Sequence, residues 1–389
     1  MMKANAVGDF FKKYTMVLAL VVVAIFFSIT TQGRILYPQN INNLISQNGY
    51  VFALAAGMLL CILTGGNIDL SVGSVVCFTG AIGAVMMQAG MNVWVAVLAM
   101  LAVGLLVGAF QGFWIAWVKV PPFIATLAGM YTFRGLSNVV LQGYAVSITN
   151  KTFLNVFGGG ADCYVPNFLG GGSLNMTCML AGIVIVAIYA LMTVRKIAVQ
   201  KKMGIAQSIT GTVIQTVIIG VVALWLFWKL AQYKGIPTVL IWIALVLLVY
   251  NYVTNRTAIG RHLYAVGGKE KATRLSGVNT PLVYFFAYAN MGLLAALAGI
   301  LTVARATSAQ PTYGQGYEMD AIASCFIGGA SAYGGTGKIS GVIIGATLMG
   351  IINQGMSIMG IEANYQRVVK GIVLLLAVMF DVLSKREKR

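Results

Sequence analysis

Apolar runs of bilayer length recur along this chain, and they constrain it more than any other feature. YTMVLALVVVAIFFSIT (14–30), LAVGLLVGAF (101–110) within a longer run, VIIGVVALWLFW (217–228) and GIVLLLAVMF (371–380) are examples. In hydrocarbon each backbone amide and carbonyl needs a partner inside the protein, so apolar segments of about 20 residues fold as helices. Of the 389 residues, 59% are hydrophobic and only 9% are Asp, Glu, Lys or Arg, which excludes an ordinary soluble domain. The expected class is an all-α polytopic membrane protein forming one transmembrane domain over residues 1–389.

Reading apolar runs between polar punctuation predicts segments near 15–33, 48–64, 69–89, 92–118, 122–141, 176–194, 208–229, 236–254, 281–303, 319–333, 339–359 and 366–383. That is twelve. Basic residues in short loops stay on the cytoplasmic side. With both termini inside, Lys3, Lys12, Lys13, Lys119, Arg195, Lys196, Lys201, Lys202, Arg256, Arg261, Lys269, Lys271, Arg274, Lys385, Arg386, Lys388 and Arg389 are cytoplasmic, 17 of the 26 Lys and Arg. The opposite loops and helix ends take the other nine, with Asp162, Glu318, Asp320 and Glu362. Residues 142–175, containing GGGADCYVPNFLGGGS, are expected as an external glycine-rich loop or short re-entrant piece, and 195–207 as a cytoplasmic loop.

A net charge of +17 suggests nucleic acid, but the basic residues sit in short clusters between apolar runs rather than on one solvated face. No nucleic-acid partner is expected. The first apolar run lacks a small-residue cleavage site and reads as a helix rather than a signal peptide. Cys61, Cys77 and Cys325 lie in apolar runs as small core residues, whereas Cys163 and Cys178 flank the external segment, where a disulfide is an open alternative.

Two stretches break the apolar pattern alike. LAAGMLLCILTGGNIDLSVGSVVCFTGAIGA (54–84) and AIASCFIGGASAYGGTGKISGVIIGA (321–346) each pass through Gly-Gly and a polar stretch into a second small-residue helix. Paired glycine interruptions in the two halves point to a transport path, because unwound backbone at membrane depth must line a cavity or pack on protein. The path candidates are Gly65, Gly66, Asn67, Asp69 and Ser71, with Gly328, Gly329, Ser331, Gly334 and Gly335 as counterparts. Asp69 reads either as an N-cap for the helix that follows or as a contact for a passing solute. The glycines read equally as close-packing points between helices. Trp114, Trp117 and Tyr131 read as interfacial anchors or as stacking surfaces for a passing solute, and Arg134 as an intramembrane charge in need of a partner. GGTGKIS (334–340) is no P-loop, since Ala332 stands where its first glycine belongs and Ile339 follows Lys338. No catalytic or metal-binding constellation is visible.

GRHLYAVGGKEKATRLSGV (260–278) concentrates charge in an otherwise apolar chain and includes its sole histidine, His262. Within the cytoplasmic loop 254–281, Gly267 and Gly268 are expected to break the chain, Lys269 to Leu275 to form about two helical turns, and Gly277 to stop them. Glu270 and Arg274 stand at i,i+4, a pair worth a few tenths of a kcal/mol. A solvated, glycine-hinged nub suits docking into a groove on another protein; a plain positive-inside loop explains the charge but not the glycines.

This stretch resembles the cytoplasmic coupling loop of ribose/galactose-type permeases of ABC importers, in the same superfamily as branched-chain amino acid permeases. GGNIDLSVGS (65–74), VPPFIATLAGMYTFRGL (120–136) and GYEMDAIASCFIGGASAYGGTGKISGVIIGA (316–346) resemble further motifs of that family in the expected order. The likeness covers roughly 15–145 and 240–385. The usual form has ten spans; residues 150–236 are extra and include an added hairpin, as in the permease of multiple-monosaccharide transporters.

The resemblance implies a permease without an ATPase site or cofactor, moving a monosaccharide of the xylose, arabinose, galactose, glucose or ribose class by alternating access. Its implied partners are a second permease copy, a cytoplasmic ATPase that uses ATP and Mg, an extracytoplasmic sugar-binding protein and membrane lipid. Gly260, Arg261, Gly267, Gly268, Lys269, Glu270, Arg274, Leu275, Ser276 and Gly277 would meet the ATPase. Nucleosides or branched-chain amino acids are alternative cargoes. An ion-coupled secondary carrier is the alternative mechanism, but it needs intramembrane carboxylates, and of nine acidic residues only Asp69 lies clearly at a break.

Overall fold

The computed structural model describes residues 2–170, 172, 174–203 and 209–386. The apolar runs fold as helices throughout. In order they are α1 (Met2–Thr30), α2 (Pro38–Gln47), α3 (Gly49–Leu63), α4 (Val72–Gln88), α5 (Val93–Ala116), α6 (Pro122–Leu141), α7 (Lys151–Phe157) and α8 (Met176–Lys202). There follow α9 (Ile209–Ala231), α10 (Thr238–Arg256), α11 (Ala258–Leu275), α12 (Thr280–Ala306), α13 (Tyr317–Ile327), α14 (Ile339–Ile358) and α15 (Ala363–Arg386). Two short strands, β1 (Val146–Ser147) and β2 (Ser308–Ala309), pair antiparallel.

Each of the twelve expected segments meets a helix, but the helices are unequal. Among the described residues six are long and apolar enough to cross a bilayer by themselves, namely α5, α8, α9, α10, α12 and α14. A seventh crossing arises if α2 and α3, bent by 42°, count as one. With only 11 residues α13 rises about 16 Å, roughly half of a hydrocarbon core of about 30 Å.

All fifteen residues of α3 are buried. A helix apolar on every side has no solvent face to offer, so it becomes the core around which the others close. α12 lies beside it, with Met291 and Leu294 against Gly57. On its other flank α12 meets α5 through a glycine seam, Gly104, Gly108 and Gly292, where backbone touches backbone. Small residues permit that approach, and dispersion then holds the helices without help from water. A methyl group at Gly108 or Gly292 would collide with main chain across the seam.

The structure adds detail at three places the sequence marked. Residues 142–175 are not a plain loop, because β1 and α7 fold within them, with buried Phe157 stacked on Trp242 of α10 and buried Phe153 packed on Phe157. Most of 195–207 is a continuation of α8 to Lys202; residues 204–208 lie outside the described residues, as do Lys388 and Arg389. Cys163 and Cys178 are free, buried thiols, and the Cys178 Sγ donates to the Phe227 carbonyl.

Candidate translocation and coupling site

The two breaks meet. Gly66, at a φ of 78° that favours glycine, lies so close to Ala332 that an added Cβ would strike its carbonyl, and Gly334 sits on the main chain of Gly65. The Gly335 amide donates to the Leu63 carbonyl at 3.1 Å, one of the carbonyls left open at the end of α3. Asn67 stays local, its Nδ2 donating to the Thr64 carbonyl at 3.2 Å. In the second turn Ser331 Oγ accepts from the Tyr333 amide, Gly328 packs on Gly341, and Gly329 abuts Met16.

The charged stretch reaches this junction directly. Gly267 of α11 lies against both the Leu63 carbonyl and the backbone of Gly335, and Tyr264 Oη donates to the Gly337 carbonyl at 2.7 Å. Burial raises the Tyr264 phenol above its ordinary value, so the proton it donates is retained at any physiological pH. Leu263 and Val266 are buried beneath the same helix, whose start is capped by Thr257 Oγ1 accepting from the Gly260 amide. Three stretches distant in sequence, 63–66, 328–337 and 264–267, thus form one backbone-to-backbone contact.

α11 differs from its expected form. Helix runs through Gly267 and Gly268, and the break falls at Lys269, where φ is −153° and ψ 94°. Gly268 has open space where a Cβ would stand. Glu270 does not pair with Arg274 among the described salt bridges; its carboxylate accepts from Tyr284 Oη at 3.0 Å and Thr280 Oγ1 at 3.3 Å, tying the second half of α11 to α12. Beyond the break Arg274, Leu275, Ser276 and Gly277 project into solvent, as does Arg261 before it, and Leu275 is 89% exposed. Gly277, at φ 85°, ends the helix as expected.

Asp69 and Ser71 occupy a second location, deeper in the protein. The Asp69 amide donates to Met58 Sδ, on α3 one position from the glycine that faces the middle of α12. Ser71, not Asp69, is the N-cap of α4, and the capping reading is corrected accordingly. Asp69 Oδ1 accepts from the amide and hydroxyl of Ser71 at 2.8 and 2.6 Å, and Ser71 Oγ accepts from the side-chain Nε2 of Gln111 on α5 at 2.8 Å. Gln111 and Gly129 also line a cavity of about 290 Å³ between α5 and α6, walled by Phe110, Trp114 and Phe133 and floored by Thr132. Of the three sequence-marked aromatics only Trp114 lines it; Trp117 lies tilted against Phe285 and Tyr131 faces outward at 71% exposure.

Arg134 finds main-chain partners. Its Nη1 donates to the carbonyls of Pro311 and Tyr313 at 3.1 and 2.6 Å, holding the loop that leads into α13. The start of α4 presses on that loop, with Gly73 against Gly314. Sequence reasoning missed the next cluster, having assigned Asp320 to an external helix end. It is fully buried, accepting from Tyr50 Oη at 2.6 Å and Lys370 Nζ at 2.9 Å, while Tyr50 stacks on Tyr317 at 3.6 Å. The available signal was a lysine within an apolar run, because an isolated charge there requires a partner. Tyr264 and Gln111 carried no such signal.

A multi-helix membrane bundle in which unwound, glycine-rich segments meet beside a solvated charged nub has the build of a transport permease. The chain belongs to the family described as branched-chain amino acid transport system / permease component, which matches residues 40–378. It is 35% identical over 380 residues to the xylose transport system permease protein XylH of Escherichia coli (strain K12), covering 96% of this chain and 92% of that one. The ribose import permease protein RbsC of the same strain is 35% identical over 342 residues, 88% of this chain and 85% of its own. XylH of Haemophilus influenzae is 34% identical over 380 residues, with 96% and 97% covered. No solved structure matches.

Proposed function

We propose that this chain is the membrane subunit of an ATP-driven importer that carries a monosaccharide, of the pentose and hexose class, across the inner membrane by alternating access. In this reading it crosses the membrane twelve times with both termini in the cytoplasm and pairs with a second copy. An ATPase docks on Lys269 to Gly277, and an extracytoplasmic sugar-binding protein docks on the opposite face. ATP and Mg are used by the ATPase; this chain supplies a passage and no hydrolytic site. The observation that carries the reading is the triple junction, where the base of the charged nub touches both broken segments through Gly267 and Tyr264. A push on the nub is delivered there to the backbone of the path, directly at Gly267 and through the phenol of Tyr264.

The relatives named for xylose and ribose support a sugar cargo, whereas the family description names branched-chain amino acids. Weak contact suits the passage, because a carrier that held its cargo firmly would slow release. The polar groups at Asp69, Ser71 and Gln111 satisfy one another, which fits such a role.

The test is reconstitution in lipid vesicles. Alone, the chain should neither hydrolyse ATP nor move radiolabelled pentose; with ATPase and binding protein added, uptake should follow ATP. Pentose uptake driven by a proton or sodium gradient in the chain alone would overturn the proposal in favour of a secondary carrier. ATP-driven uptake of leucine or a nucleoside instead of any monosaccharide would overturn the cargo.

A further inference from the structure

Three polar contacts join α15 to α13 and its flanking segments. Arg367 Nη2 donates to Gln315 Oε1 at 3.3 Å in the loop before α13, Lys370 pairs with Asp320 in its first turn, and Asp381 Oδ2 accepts from the Ala332 amide at 3.0 Å in the turn after it. Lys370 and Asp381 are 11 residues apart, close to three helical turns and about 16 Å, so they share one face and match the length of α13. Between them Val373, Leu374, Ala377 and Val378 pack on the core at helical spacing. An apolar stripe is therefore bolted at both ends by charge.

α13 links two places already described. Its far end runs into the turn that meets Gly66 and Gly267, and its near end continues from the loop held by Arg134 and pressed by Gly73. Eleven residues make a short rod, and a rod transmits motion only if it does not bend or slide.

We infer that α15 is a strut for α13, with Lys370 and Asp381 as positioning residues that make loop 310–316 and turn 328–337 move as one body. The inference rests on the transport reading for its consequence but not for its mechanics. Asp320 has no other cation beside it among the described residues, and its Oδ1 has no hydrogen-bond partner, so Lys370 alone compensates its charge. Retaining an ion pair in an apolar bundle is costly, and fixing one packing arrangement is the best-attested return on such a pair.

Two measurements test it. Hydrogen exchange on the purified chain in lipid nanodiscs reads the mechanics: Asp381→Asn should raise exchange at 310–316 as well as at 328–337, and Lys370→Met should do the same from the other end. Loosening confined to the mutated end would overturn the strut, whatever the protein transports. In the reconstituted importer, the pair Asp320→Asn with Lys370→Met leaves no unpaired charge at this contact and should keep ATP hydrolysis near wild type while lowering uptake about tenfold or more. The exchanged pair Asp320→Lys with Lys370→Asp should restore uptake to within about threefold of wild type. Uptake by the neutral pair within about twofold of wild type would overturn the inference, and absence of ATP-driven uptake in the wild-type complex would instead overturn the function proposed above.

Discussion

The hairpin of α8 and α9 and the pair of α5 and α12 are equally apolar to the eye, yet they are held by different means. In α12 78% of the most apolar stretch is buried within the protein, against 11% in α8 and 17% in α9. α5 and α12 meet through glycine backbone, whereas the hairpin meets itself through side chains such as Phe227 over Gly182 and Val186 beside Gly220. Its contacts with the rest include Thr177 Oγ1 of α8 accepting from the Leu169 amide at 3.3 Å and the packing of α9 beside α2. Apolar composition alone makes a helix soluble in lipid; close backbone approach makes it specific. The hairpin satisfies the first requirement and the inner pair both.

The comparison breaks most easily at the seam. Gly108→Leu or Gly292→Leu forces a branched side chain into main chain, where overpacking costs about 1–3 kcal/mol and more when backbone cannot yield. Little folded protein should survive, read as monodisperse yield in detergent. Next is the triple junction, where Gly267→Ala should lower ATP-driven uptake about tenfold, at about 1.4 kcal/mol per decade, while Gly268→Ala, with open space around it, stays within about twofold. Equal losses at both would show that α11 merely dislikes side chains. Tyr264→Phe removes one hydrogen bond of about 1 kcal/mol and should cost about fivefold in uptake. Smallest is Leu191→Ala on α8, 64% exposed, for which thermal unfolding in nanodiscs should shift by less than about 0.5 kcal/mol. A loss as large as at the seam would mean that the hairpin is covered by another protein rather than by lipid.

Much of this was legible beforehand because membrane burial writes long, unmistakable signals. Every expected segment met a helix, and the glycine pairs at 65–66 and 334–335 do mark unwound backbone. Misreadings came where local pattern competes with tertiary contact. Gly267-Gly268 looked like a hinge, but Gly267 is small because Leu63 and Gly335 stand against it, and the kink passes to Lys269. Glu270 had a suitable partner four residues on and chose the hydroxyls of Thr280 and Tyr284 instead. Asp320 and Lys370 are 50 residues apart, and no periodicity connects them. A short helix, an orphan lysine and a distant aspartate become one object only in three dimensions.

At the tip of α11, Leu275 stands almost wholly in water. Covering such a side chain is worth roughly 1.5–3 kcal/mol, and in the lone chain that gain is unrealised. Any surplus of this subunit therefore carries an adhesive spot, available to chaperones, proteases or its own kind. Where an ATPase docks on the nub as proposed, synthesis in step with that partner would keep the leucine covered.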